Sequence, residues 1–258
     1  MSEDATCNVI CLKWGTRYPA AYTNTLYRSV KKHLHRPFRF VCVTDDPTGL
    51  DEGIDAQPFP PNPGYKNEKA WPGIFSKLAI TQDGFANLKG PTLFLDVDVV
   101  IMDDIDCFFD YKPGENCIIH NWIEWHKTLF RKRPEIGNSS IYRFEAGKSG
   151  YIYDTFIREF DRAHDKTQFP TEQAFLTYAM KQKGVNWWPY DWAQSYKRCC
   201  RPIFPLNLFV VPKPPKTRIL VFHGNPDPDQ AIVGFDDGKA HHKTLPAPWI
   251  EDYWKLDN

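Results

Sequence analysis

The sequence has no excess of charge of either sign: 32 Lys and Arg stand against 32 Asp and Glu. No global field therefore draws it to nucleic acid or to an anionic membrane, although a local basic pocket for one small anion remains open. Long hydrophobic runs are also missing. None approaches the ~18 apolar residues of a membrane-crossing helix. The opening Met1-Ser2-Glu3-Asp4-Ala5-Thr6 lacks a basic stretch followed by an apolar one, so no leader and a cytoplasmic location are expected. Cysteine is present seven times but without paired spacing, and adjacent Cys199 and Cys200 are not a zinc motif. Cys7 and Cys11 share strand parity and should face one buried side, while Cys42 and Cys107 sit in apolar surroundings. Reduced, packing thiols are expected. Internal repeats and a clear linker are lacking as well.

What is present is the composition of a globular chain, 42% hydrophobic and 25% charged. Its 258 residues suffice for one large α/β domain. Aromatic residues reach 15%, with 9 Trp. A large core absorbs such residues, and flat platforms also suit ring-shaped ligands.

Residues 8–12 read as a buried strand that breaks at Lys13-Trp14-Gly15-Thr16. After Pro19, Tyr22, Leu26, Val30 and Leu34 recur every fourth residue and predict one face of a helix. Residues 38–43 form a second strand, closed by the turn Asp45-Asp46-Pro47-Thr48-Gly49. This strand–helix–strand order implies a right-handed parallel crossover. A Pro-rich loop over 57–73 leads to helical spacing over 74–80, then to a wholly apolar strand at 92–95 that must be central. Residues 99–102 leave as an edge segment. Further strands are expected at 116–120, 139–144, 185–188 and 219–222, with helices at 151–163 and 171–183. The tail from Asn225, rich in Pro, Asp and Gly, should wrap the surface.

Asp96-Val97-Asp98 follows the central strand, at the carboxyl end where open α/β sheets bind ligands. Two carboxylates at i and i+2 on a strand point the same way and repel, each raising the other's pKa. A hard divalent cation removes that penalty, with phosphate oxygens and water completing its shell. The apolar Leu93-Phe94-Leu95 before the pair and Val99-Val100-Ile101 after it argue against a merely solvated strand end. Asp103, Asp104 and Asp106 read as an ordinary acidic turn. His223 also follows an apolar strand and precedes Gly224, where backbone approaches a ligand closely. It is the natural third ligand for a cation that two aspartates leave under-coordinated.

The segment Phe94-Leu95-Asp96-Val97-Asp98-Val99-Val100 resembles the DxD region of retaining GT-A-fold glycosyltransferases, the family of glycogenin and bacterial lipopolysaccharide galactosyltransferases. Ser76-Lys77-Leu78, Asn138-Ser139-Ser140-Ile141, Glu172-Gln173 and Val221-Phe222-His223-Gly224 resemble further blocks in the family's order. The resemblance covers roughly residues 8–228, and the DxD and His-Gly blocks carry most of its specificity. It implies one GT-A-type, Rossmann-like α/β domain over 1–258, with a mostly parallel central sheet and helices on both faces. Within it, a nucleotide-binding half would span about 7–106, an acceptor half about 107–228, and a C-terminal tail 229–258. The implied activity is a hexosyltransferase that uses a nucleotide-diphosphate sugar, UDP-sugar favoured, with Mn²⁺ or Mg²⁺ held by Asp96, Asp98 and His223. Lys77, with Asp98 and Gln173, would act at the reacting centre. Trp14, Gly15, Thr16 and Tyr18 would hold base and ribose, and Lys77, Asp96, Asn138 and Gly224 the diphosphate sugar, with Lys13 as a further cation for the diphosphate. Trp122, Trp125 and Arg131 to Arg133 are candidates for an unidentified acceptor.

Three departures from the pattern stand out. Asn225-Pro226-Asp227-Pro228 occupies the stretch where relatives carry a lysine, Lys13 ends the first strand where many carry an acid, and Ser140 replaces a glycine. Lys13 either supplies the missing cation or is a surface lysine. Two other functions fit parts of the chain. The Asp96 segment also matches the nucleophile strand of haloacid-dehalogenase-type phosphatases, with Gly234-Phe235-Asp236-Asp237 as a later acidic motif. The absent lysine also fits a non-catalytic nucleotide-sugar or glycan-binding module.

Overall fold

The computed structural model describes residues 7–122 and 135–256. Strand β1 (Cys7–Lys13) is buried along its whole length. It has parallel partners on both edges, β2 (Phe38–Thr44) and β4 (Gly90–Leu95). A strand enclosed on both edges and both faces has no polar side, which explains its nearly unbroken apolar run. Val9 and Cys11 join the core on one face of the sheet, and Ile10 and Leu12 join the core on the other. Cys7 and Cys11 do share a side, and all seven cysteines are free thiols.

Helix α1 (Ala20–His33) buries Tyr22, Leu26 and Val30, as their spacing predicts. Lys31, Lys32 and His33 in its last turn oppose the partial negative charge of that end. The main sheet runs β3-β2-β1-β4-β7-β6-β8, adding β3 (Ile54–Gln57), β7 (Gly137–Ala146), β6 (Cys117–His120) and β8 (Asn186–Trp187). Pairings of β1 with β2 and β4, of β2 with β3 and of β6 with β8 are parallel, whereas β7 is antiparallel to β4 and β6. The sheet is mostly parallel and the fold is α/β, with α1 on one face. Helices α2 (Ser76–Ala79), α4 (Tyr151–Arg158) and α6 (Glu172–Lys181) pack on the other face.

A small second sheet decides where the site forms. Strand β5 (Val100–Ile101) leaves the main sheet and pairs antiparallel with β10 (Ile219–Val221), which lies parallel to β9 (Ala193–Ser195). Asp96-Val97-Asp98 is thus the crossing between the two sheets, and His223 follows the middle strand of the smaller one.

Several expectations change. Strand β3 carries little sequence signal, because its Ile54-Asp55-Ala56-Gln57 alternates over only four residues and buries none of them fully. Helix α3 (Cys107–Asp110) is a single unforeseen turn. Only Ser76–Ala79 of the helical spacing at 74–80 is helix. The helix expected over 151–163 is two, α4 and α5 (Phe160–His164), broken where Glu159 takes φ −113° and ψ 31°. Its carboxylate is gripped there by Arg162 at 2.7 Å and Arg158 at 3.2 Å. The tail does not merely wrap the surface. It forms α7 (Pro228–Val233) and buries Ala231, Ala247, Ile250 and Trp254 in the core. Those apolar residues fall in groups as short as Ala231-Ile232-Val233 and Trp249-Ile250 among Pro, Asp and Gly, too short to show a periodicity.

Candidate functional site

The carboxyl ends of β1, β4 and β10, the start of β7 and the first turn of α6 surround a cavity of about 350 Å³. Trp14, Tyr18, Lys77, Asp96, Asp98, Asn138, Gln173, His223 and Gly224 all line it. Lys13, Gly15 and Thr16 do not line it. Lys13 is buried, and its amine donates to the Asp46 carbonyl at 3.2 Å, which ends the surface-lysine reading. The Gly15 amide donates to Asp45 Oδ2 at 3.0 Å, fastening the first loop to the end of β2. Trp125, Arg131 and Arg133 lie outside the described residues.

Asp96 continues β4 by one residue, its amide donating to the Ser140 carbonyl of β7 at 3.0 Å. The Val99 amide then donates to the Asp96 carbonyl at 3.4 Å, and this turn swings the chain toward β5. Lys77 on α2 reaches both carboxylate oxygens of Asp96, at 2.7 Å and 2.9 Å, and the Ser139 carbonyl at 3.3 Å. Burial works against its ammonium, but Asp96, then Glu172 and Asp98, outweigh burial and raise its pKa. Glu172 accepts a short hydrogen bond from Ser139 Oγ, so a buried network links β7, α6 and Lys77.

Asp98 is 8% exposed. Burial, then the charges of Asp96 and Asp227, push its carboxyl up to about 7, against the lowering by Lys77 and Tyr18. The Tyr18 hydroxyl lies 3.1 Å from Asp98 Oδ2 and 3.1 Å from Asp227 Oδ1, so one proton serves two carboxylates. Asp227 also caps α7 and meets Arg17 at 3.2 Å.

His223 Nε2 is 2.6 Å from Ser195 Oγ, and its ring stacks on Trp122 with centroids 5.7 Å apart. Burial, then Lys197 and Arg198, lower its pKa to about 4, so the imidazole is neutral near pH 7, as a ligand must be. Gly224 has φ +68°, and a Cβ there would meet Lys197 Nζ at 3.6 Å. The chain therefore turns at Gly224 beneath a cation.

Asp96, Asp98 and His223 share the wall, but their ligand atoms do not all lie within 4.8 Å of one another. Among the described residues one trio does: His35, Asp104 and Asp106, on the surface. Arg36 and Arg218 already pair with that turn. In the cavity each candidate ligand has a protein partner instead: Lys77 for Asp96, Tyr18 for Asp98 and Ser195 for His223.

Arg17, Asp227, Ser195 and Lys197 escaped the sequence reading. Arg17 sits in the loop already singled out and could have been taken with it. The other three become neighbours of the site only through the small sheet and the tail, which no local pattern reveals.

No family model matches the sequence, and no curated protein does. Solved structures do resemble the fold. The galactosyltransferase LgtC, in complex with donor and acceptor sugar analogs, matches with a TM-score of 0.58 at 16% identity, covering 86% of this chain and 88% of that one. An active-site mutant of LgtC matches at 0.57 and 14%, covering 86% and 89%. The bifunctional glycosyltransferase WbbM matches at 0.56 and 13%, covering 88% of this chain and 47% of that one. The chain thus has the α/β fold of these GT-A glycosyltransferases.

Proposed function

We propose that the chain is a glycosyltransferase that moves a sugar, a hexose, from a nucleotide-diphosphate donor, UDP-sugar favoured, to an acceptor. One observation carries this reading. Residues chosen from six separate sequence blocks between Trp14 and Gly224 line one cavity at the carboxyl ends of the parallel strands. The whole of 1–258 is read as one unit, with the base on the 7–106 side and the acceptor on the 107–228 side.

Trp14 and Tyr18 offer the base and ribose aromatic walls at the mouth of β1. Asn138 and Gln173 offer amide groups that orient the donor sugar. Lys77 cancels the charge of Asp96, which lets two carboxylates stand side by side in a cavity that must accept an anion. Arg17 lines the cavity and Lys197 lies beside Gly224, adding positive charge for a departing diphosphate that gathers negative charge. The donor set suits a divalent metal: two hard carboxylates and a neutral imidazole, with an Asp98 carboxyl whose charge the protein alone does not compensate. Held by Asp96, Asp98 and His223, Mn²⁺ or Mg²⁺ would supply Lewis-acid stabilisation of the diphosphate. Retention of the anomeric configuration follows if the acceptor attacks from the leaving-group side.

The phosphatase reading loses its later acidic motif. Asp236 pairs with Lys243 at 3.0 Å and Asp237 with His242 at 2.7 Å, away from the cavity wall. Nucleotide release measured over a panel of nucleotide sugars with Mn²⁺ tests the proposal. Slow hydrolysis of one donor is expected. Tight binding of a donor with no release at all would assign the cavity to a non-catalytic binding module.

A further inference from the structure

Among the described residues ten large apolar side chains are exposed, and six of them fall between positions 203 and 211: Ile203, Phe204, Leu206, Phe209, Val210 and Val211. Ile203 is 79% exposed and Phe209 78%. Single exposed apolar residues are ordinary, but a contiguous group marks a surface that meets something.

The loop is built to present them. Asn207 is fully buried, and its amide donates to the carbonyls of Ala240 and Lys243, both at 2.8 Å. The Trp249 indole holds the Pro212 carbonyl at 3.0 Å. At the tip, the amides of Phe209 and Val210 both donate to the Leu206 carbonyl, at 3.0 Å and 2.9 Å. Polar anchors thus pin the loop from behind, and its turn satisfies backbone groups internally, as an apolar medium demands.

Charge identifies the medium. From residue 192 to 226 the chain carries no acidic residue and six basic ones, Lys197, Arg198, Arg201, Lys213, Lys216 and Arg218. Lys213 and Lys216 are exposed just after the apolar run, and Arg198 just before it. Arg218 pairs with Asp104 and Lys197 lies beside Gly224, so Lys213 and Lys216 are the exposed cations that follow the apolar run directly. An apolar hollow on a protein would accept the side chains without needing those cations, whereas an anionic bilayer surface is complementary to both. We propose that this loop docks the protein peripherally on an anionic lipid surface. Its apolar side chains enter the boundary between headgroups and acyl chains, and the flanking cations meet lipid phosphates. The proposal does not depend on sugar transfer.

Co-sedimentation of the full chain with phosphatidylcholine vesicles, with and without phosphatidylglycerol, tests it. Binding should require phosphatidylglycerol and weaken as salt rises. Phe209→Ser should weaken it roughly tenfold, the worth of one buried aromatic side chain. Lys213→Gln should weaken it about fivefold. Both sites are exposed, so an unchanged unfolding midpoint is expected and separates docking from folding. No binding to phosphatidylglycerol vesicles, or full binding by Phe209→Ser, overturns the proposal. So does a dimer on gel filtration that Phe209→Ser dissociates without any vesicle binding, which would give the face to a second copy.

Discussion

Lys77 grips Asp96 through both carboxylate oxygens, at 2.7 Å and 2.9 Å, from a side chain only 7% exposed. Lys77→Met keeps the apolar stem and removes the cation, leaving Asp96 and Asp98 as unbalanced neighbours. Breaking a buried pair costs about 3–5 kcal/mol, and the lower end applies because Asp96 is 24% exposed. The melting midpoint should therefore fall by roughly 6–12 °C. Millimolar Mn²⁺ should recover part of the loss if the aspartates bind it. A loss that Mn²⁺ leaves untouched would count against Asp96 and Asp98 as ligands.

Asp98→Asn and His223→Ala should each abolish donor turnover while the chain stays folded. Asp98→Asn removes a buried charge beside Asp96, so its midpoint without metal should hold or rise. Asp103→Asn should be nearly neutral, because that side chain is 68% exposed, meets Arg218 only at 4.0 Å, and accepts from the Asp104 amide through an oxygen that asparagine keeps. Similar loss of turnover from all three would make the acidic stretch structural.

Lys197 lies beside Gly224, while Lys13 is committed to the Asp46 carbonyl, so under the proposed function Lys197 is the cation expected to meet the diphosphate. Lys197→Ala should weaken binding of a nucleoside diphosphate tenfold or more and leave the nucleoside alone. A charged hydrogen bond of about 1.5–3 kcal/mol sets that scale. Lys13→Ala should weaken nucleoside and diphosphate alike, by loosening the loop that carries Trp14. Titration calorimetry with both ligands distinguishes the outcomes, and the reverse pattern would return the role to Lys13.

Features that depend on neighbouring residues alone are legible in the sequence. β1, α1, β2 and β4 were legible because their apolar spacing matches their burial on both faces of the sheet. The Asp96–Asp98 pair stood out because two acids interrupt an apolar stretch. What stayed hidden depends on pairing across long separations. Nothing in Ala193–Ser195 marks a strand until β10 lies beside it, so Ser195 and Lys197 could not be placed near His223. Asp227 looked like one acid in a polar tail until α7 brought it to Tyr18.

Acid sensitivity should appear at the surface turn where His35 and Arg36 hold Asp106. Its partial burial favours the neutral acid, but hydrogen bonds from Arg36 and His35 outweigh it and lower the pKa. A depressed carboxyl contributes stability above its unfolded pKa and loses it as pH falls through the folded value. Asp106→Asn should therefore lower the midpoint at pH 7 and have a shrinking effect below about pH 4. An equal effect at both pH values would show that packing, not charge, is what the turn loses.

The most discriminating expectation concerns metal and nucleotide together. Lys77 offsets the charge of Asp96, but among the described residues Asp98 has no cation of its own and lies close to Asp227. A nucleoside diphosphate should therefore stabilise the protein only with Mn²⁺ or Mg²⁺ present, which Asp96, Asp98 and His223 would hold. Ligand at one hundred times its dissociation constant adds about 2.7 kcal/mol to the folded state. For a chain of this length each kcal/mol moves the midpoint by roughly 2–4 °C, so a shift of several degrees should be seen. A chelator should erase it, and so should Asp98→Asn. A phosphatase would instead release phosphate with Mg²⁺ and show no preference for a nucleotide. If uridine and guanosine diphosphates both leave the midpoint unmoved with metal present, the cavity does not serve a nucleotide sugar. Lys77 and Asp96 would then be a structural pair at the crossing of two sheets.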